Sequence, residues 1–197
     1  MRRNLIFTLL VFYLGHSYCQ EDKYKLINKL SAGELTEVGI SFFEYEDGKK
    51  YTPIIIGGFF EVPLYKTKNF FNVSVSIFPN FVLVIHEKIT TYEFGLNVRT
   101  NLNFALNEYN VLRVMIGSGP QYFDYSTCRQ AHGFLFSDYL LVGYRRYFLL
   151  NDRYCNFDFE IGYRHISNAG INKPNDGINN MIIGIGFNVV INSKLKQ

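Results

Sequence analysis

Between residues 92 and 106 the chain alternates without a break. Tyr92, Phe94, Leu96, Val98, Thr100, Leu102, Phe104 and Leu106 fall on one parity, and Glu93, Gly95, Asn97, Arg99, Asn101, Asn103 and Ala105 fall on the other. Successive side chains of a strand point to opposite faces, so this spacing predicts one extended strand with an apolar and a polar face. At ~3.3 Å per residue the run is about 50 Å long, more than soluble sheets commonly use. That length suits a tilted strand that crosses a bilayer and projects beyond it. Seven further runs share the character, at roughly 37–46, 51–65, 69–86, 109–120, 133–149, 153–167 and 179–191. The total is eight, an even number that lets an antiparallel sheet close with both termini on one side and leaves no exposed edge. The fold class expected is all-β: an eight-stranded antiparallel transmembrane barrel.

The connections sort by length. Those near 66–68, 107–108 and 150–152 are short, whereas 117–133 and 168–177 are long. Barrels of this type keep short turns on the periplasmic side and long loops outside, so odd strands rise from a periplasmic N-terminus and even strands descend. No internal repeat, low-complexity tract or Gly/Ser-rich linker divides the chain.

Composition then adjusts the ends and narrows the class. Arg2 and Arg3 precede an apolar run at 5–15, and Ser17 and Cys19 are small residues at signal-peptidase spacing, so residues 1–19 read as a signal peptide. The apolar run is shorter than the ~20 residues that a spanning helix needs, which disfavours an uncleaved anchor. Tyr18 stands where a lipoprotein signal wants a small residue, which disfavours lipidation at Cys19. Residues 20–35 are polar and rich in Lys and Glu and read as a periplasmic leader, with the barrel domain over 36–197. Beyond residue 20 no stretch of apolar residues is long enough for a membrane helix, while aromatic residues make up 17% of the chain, as a membrane barrel uses them. A formal charge of +3 gives no argument for nucleic acid. Cys128 and Cys155 fall at opposite ends of the expected barrel, too far apart for a disulfide, and two distant thiols are no metal site. His86 and His132 are isolated and read as solvated or structural, and no G-x-S-x-G, P-loop or H-E-x-x-H pattern occurs.

The chemistry-bearing segment begins where the seventh run ends. Phe157, Phe159, Ile161 and Tyr163 share one face, and Asn156, Asp158, Glu160, Gly162 and Arg164 share the other. In a small barrel the polar set fills the lumen and the apolar set meets lipid. His165 and Ser167 continue the lipid-facing parity. At i, i+2 on a strand their Cβ atoms are roughly 7 Å apart, within reach for an imidazole base and a hydroxyl nucleophile in suitable rotamers. The plain structural reading is a pair of interfacial polar residues where strand meets loop, and a His-x-Ser pattern by itself is weak.

The longer motif is specific. His165, Ile166, Ser167, Asn168, Ala169 and Gly170, followed by Lys173, Pro174, Asn175, Asp176 and Gly177, resemble the signature of the PagL-type lipid A 3-O-deacylases, the acyloxyacyl hydrolase family of outer-membrane barrels. The resemblance implies a multi-pass protein of the cell outer membrane that hydrolyses an acyl ester of lipid A in lipopolysaccharide, with the membrane as its other partner. His165 is then the general base, Ser167 the nucleophile, and Asn168 with the backbone near Gly170 the oxyanion hole. No cofactor or metal is implied, and homodimerisation is left open. The family's third catalytic residue is a glutamate fourteen positions after the histidine, where this chain has Asn179. An acid orients the imidazole and stabilises its cation, whereas an amide only orients it. Asp176 is the alternative acid, and Glu160 belongs to the lumen set. The rival expectation is a catalytically silent structural or adhesive barrel that retains the motif.

Overall fold

The computed structural model describes residues 25–41, 51–64, 70–85, 90–123, 133–167 and 177–191. Eight strands run in chain order as β1 (Ser31–Ser41), β2 (Pro53–Pro63), β3 (Phe71–Ile85), β4 (Thr90–Ala105), β5 (Asn110–Phe123), β6 (Gly133–Leu150), β7 (Arg153–Ser167) and β8 (Ile178–Val190). Each pairs antiparallel with its neighbour, and β1 pairs with β8, so the sheet is a closed barrel. The shortest strands have 11 residues and the longest 18, enough to cross a bilayer at a barrel's tilt. Among the described residues no helix is long and apolar enough to cross a membrane.

Local chemistry explains the short turns. Asn151 and Asp152 both adopt positive φ, 47° and 61°, which is the two-residue hairpin geometry that Asn and Asp tolerate and that matches strand twist. Between β4 and β5, the side-chain oxygen of Asn107 accepts from the backbone N–H groups of Tyr109 and Asn110, each at 2.9 Å.

The two faces of the wall differ as the alternation requires. Phe94, Leu96, Val98, Phe157, Phe159 and Ile185 point outward and are exposed. A continuous outer surface of such residues would be costly in water and is the surface that hydrocarbon solvates. The inner face is polar and packed. Arg99 donates to Glu37 at 2.6 Å and to Glu160 at 2.9 Å, with its guanidinium 4.5 Å from the ring centres of both Phe78 and Tyr139. Arg113 and Arg145 each bridge Glu61 and Asp158 at 2.6–3.0 Å. Arg164 donates to Ser137 and to the hydroxyl of Tyr51, which in turn donates to Glu93 at 2.7 Å. Apolar clusters close this network at both ends: Tyr51, Leu135, Ile166 and Ile178 at the end of the long connections, and Leu26, Ile27, Val111 and Tyr147 at the other. Leu26 and Ile27 reach the lumen from a 3-10 turn at Lys25–Asn28. Alternation predicts a polar lumen, and the apolar residues at both of its mouths are an addition to that expectation.

One boundary is corrected. β1 begins at Ser31, so the barrel takes in residues 31–35, which composition assigns to the leader. Here the polarity of the alternation is reversed: Leu35 points inward and is buried, while Glu34 is exposed on the outside. Residues 1–19, read from sequence as a signal peptide, and His86, Cys128 and His132 lie outside the described residues. Cys155 is a free thiol, buried at the start of β7.

Removing Arg99 tests how far the barrel depends on its lumen charges. Arg99→Met leaves Glu37 and Glu160 buried without their shared cation, and breaking a buried ion pair from one side costs about 3–5 kcal/mol. The expected result is a loss of that size in urea unfolding of the detergent-folded protein. A loss under about 1 kcal/mol would show that the two carboxylates are neutralised or solvated without the arginine.

Candidate active site

The C-terminal end of β7 carries the candidate residues, and the register of three strand pairs sets their neighbours. Lumen parity takes Arg164 and Ile166 inward, where both are buried. His165 and Ser167 therefore face outward and are half-buried. On one side of His165 lies Asn179 of β8, its direct partner in the ladder. On the other side lies Asp138 of β6, and Ser167 is opposite Phe136 of the same strand. Asp138 in turn is opposite Ser118 of β5, whose hydroxyl donates to Asp138 Oδ1 at 2.6 Å. Ser118, Asp138, His165 and Asn179 thus form one polar row across four adjacent strands of an otherwise apolar wall.

Within this row His165 Nδ1 is 2.6 Å from Asn179 Oδ1. An amide oxygen is an acceptor only, so with that end toward the ring the tautomer that hydrogen-bonds is the one with its proton on Nδ1. Nε2 is then the nitrogen with the free lone pair, the one able to take a proton from a hydroxyl. Asn179 Oδ1 also accepts from the hydroxyl of Tyr163, which lies on the same face of β7.

The ring is held from a further side by Gly177, the last residue of the motif. Gly177 has φ of 58°, in the left-handed region that favours glycine. A Cβ built there would lie 2.5 Å from His165 Cε1 and 3.2 Å from Nε2. The glycine serves two needs at once: it lets the chain turn into β8 and it leaves room for the imidazole.

Of the residues expected from sequence, His165, Ser167 and Asn179 share one outer patch. Asn168, Gly170 and the alternative acid Asp176 lie outside the described residues. Glu160 is in the lumen, bonded to Arg99 and pointing away from the patch. Sequence reasoning missed Asp138 and Tyr163. Outward parity was readable for each, but the pairing that sets Asp138 beside His165 is a property of register across strands. Among the described residues no group of three or more His, Cys, Asp or Glu is arranged to hold a metal ion.

Comparison with known proteins adds three findings. A family model described as lipid A 3-O-deacylase (PagL) matches residues 65–188, which includes both the row and most of the lumen network. Among solved structures, the crystal structure of the outer membrane enzyme PagL is similar in fold, with a TM-score of 0.58 and 16% sequence identity over 79% of this chain and 97% of that one. None of the curated proteins matches the chain.

Proposed function

The chain belongs to the lipid A 3-O-deacylase (PagL) family, and from that membership we propose that it hydrolyses the 3-O-acyl ester of lipid A from within the outer membrane, using Ser167 as nucleophile and His165 as base. The observation that carries the reading is the 2.6 Å contact between His165 Nδ1 and Asn179 Oδ1 on the lipid-facing wall. It leaves Nε2 as the proton acceptor, and Ser167 is the next residue of the same face.

The reaction follows the usual order for a serine nucleophile. His165 Nε2 takes the Ser167 proton as Oγ bonds to the ester carbonyl carbon. The tetrahedral oxyanion collapses, the bond to the sugar oxygen breaks, and His165 returns the proton to that oxygen. Water then attacks the acyl-serine, again losing a proton to His165, and the fatty acid leaves as Ser167 is restored. Asn168 and the backbone near Gly170 are assigned the oxyanion. Asp138, one strand from His165, stands on the side of the ring away from Asn179 and accepts from Ser118. An outward-facing site meets an acyl ester without extracting its lipid from the bilayer, and the apolar wall on either side suits the acyl chain. No metal or organic cofactor enters this scheme.

The second reading, a silent structural or adhesive barrel, has one observation in its favour: the amide at Asn179 offers no charge to a cationic imidazole. Incubating the purified, folded protein with lipopolysaccharide and weighing the lipid A decides between them. Loss of one hydroxyacyl mass together with release of the free acid is expected. Unchanged lipid A after prolonged incubation, with the barrel folded, would favour the silent reading.

Gly177→Ala is expected to lower that release at least about tenfold, because the new methyl must displace the imidazole and small misplacements of a catalytic group cost up to about 10²-fold. Equal rates for wild type and Gly177→Ala would mean that the ring's observed position is not the reactive one.

A further inference from the structure

We propose that Tyr163 is a positioning residue which locks the Asn179 amide with its oxygen toward His165, so that a triad position occupied by asparagine still selects the reactive tautomer. The proposal rests on the deacylase reading above and concerns how this chain works without the acid.

A carboxylate in that position needs no such lock, since either of its oxygens accepts the imidazole N–H. An amide is different. Its two ends are nearly the same shape and differ only in that one accepts and the other donates. With oxygen toward the ring, His165 keeps its proton on Nδ1 and its lone pair on Nε2. With the NH2 end toward the ring, Nδ1 becomes the acceptor and the proton moves to Nε2, which can no longer take the Ser167 proton. Unless a further contact fixes the amide, only part of the population is competent, and turnover falls with that fraction.

The structure supplies the further contact. Tyr163 donates its hydroxyl to the same Oδ1 that His165 Nδ1 approaches at 2.6 Å. The geometry is a diagonal across the β7–β8 pair: Tyr163 is opposite Met181, and Asn179 lies two residues along. A tyrosine side chain spans that diagonal, while a shorter one does not. A phenol is a good donor and a poor acceptor, its lone pair being drawn into the ring. Turning the amide over would therefore leave the phenol hydrogen without an acceptor on a lipid-facing wall, where that is costly. The neighbours at Phe157 and Phe159 underline the point. They occupy the same face of the same strand, where an apolar ring is all that the lipid requires, and the hydroxyl of Tyr163 is the addition that reaches Asn179.

The test is a double-mutant cycle with a spectroscopic readout. Tyr163→Phe keeps the ring and the outer surface, so the barrel is expected to fold, checked by its heat-modifiable gel band. In the natural protein, Tyr163→Phe should lower deacylation about five- to tenfold, the range that loss of one hydrogen bond allows. In an Asn179→Glu protein the same change should alter it less than about twofold, because both carboxylate oxygens accept. The ¹⁵N shifts of the His165 imidazole in detergent micelles, assigned with a His165→Gln control, should report the Nδ1–H tautomer in wild type and a mixture in Tyr163→Phe. An unchanged tautomer, or equal losses in the natural and Asn179→Glu backgrounds, would overturn the lock. If neither background releases acid from lipopolysaccharide, the deacylase reading fails. The tautomer measurement still decides whether Tyr163 orients the amide.

Discussion

Ser167→Ala is expected to bring acid release from lipopolysaccharide down to the background of the folded barrel, a loss of about 10² in the natural protein. The size follows from comparing triad removals. In a serine protease, removing the serine costs about 2 × 10⁶ in turnover and removing the acid alone about 3 × 10⁴. A chain that already has Asn179 in place of the acid therefore retains roughly 10² of the serine's contribution to lose. The same substitution in an Asn179→Glu protein should cost more, about 10⁴, because the restored acid raises the starting rate about a hundredfold. Ser167 is half-buried at the end of β7, and a substitution of this kind at a strand end changes stability by about 0.5 kcal/mol or less, so the gel shift of the folded barrel should be unaffected. Quantifying free hydroxy fatty acid by mass spectrometry over a time course gives the ratio directly. A folded Ser167→Ala protein that releases acid at the wild-type rate would exclude Ser167 as nucleophile and leave a water activated by His165 as the attacking group.

The fold was readable because the two faces of this wall are chemically unlike. Tyr92, Phe94, Leu96 and Val98 alternate with Glu93, Asn97 and Arg99, and the barrel points the first set out and buries the second. The strand count and closure followed from the same pattern. The rule failed at the start of β1, where Leu35 points in and Glu34 out, since lumen packing overrode the usual polarity there. Periodicity is a signal only where each face keeps one solvent. The turn at Asn151 and Asp152 was legible for a different reason: those two residue types tolerate positive φ.

The candidate site was legible along the chain and opaque across it. His165, Ser167 and Asn179 belong to one segment, and parity alone put all three outside. Asp138 is separated from His165 by most of the β6–β7 hairpin, and it meets the histidine only because β6 and β7 pair in one register of many. The Tyr163 contact is opaque in the same way, since it depends on a diagonal neighbour in β8. The lumen charges show the same limit. Arg99 was visibly a polar-face residue, yet its partners Glu37 and Glu160 come from β1 and β7, far off in sequence and brought together by closure.

Asn179→Glu is expected to raise deacylation about a hundredfold or more. The contact between His165 Nδ1 and Asn179 Oδ1 places an acceptor beside the ring, so under the proposed mechanism orientation is supplied and charge is what the substitution adds. In the proposed mechanism His165 becomes a cation at the edge of a low-dielectric medium as Ser167 attacks, and a neutral amide gives that cation little stabilisation. Replacing an acid by its amide in a serine protease costs about 10⁴, part of it through the wrong tautomer. With the tautomer held as proposed above, only the charge-dependent part is there to be regained, hence the smaller factor. The stability cost is modest, because a carboxylate near the interface of a barrel costs about 0–1 kcal/mol and here faces the imidazole. Asp176→Asn should leave the rate of the natural protein nearly unchanged. The opposite pair of results, activity lost with Asp176→Asn and unmoved by Asn179→Glu, would assign the acid's role to Asp176. If Asn179→Glu alone is without effect on a folded and active barrel, the charge is already present. Asp138, directly across β7 from Asn179, is then its source, and Asp138→Asn should be the substitution that lowers the rate.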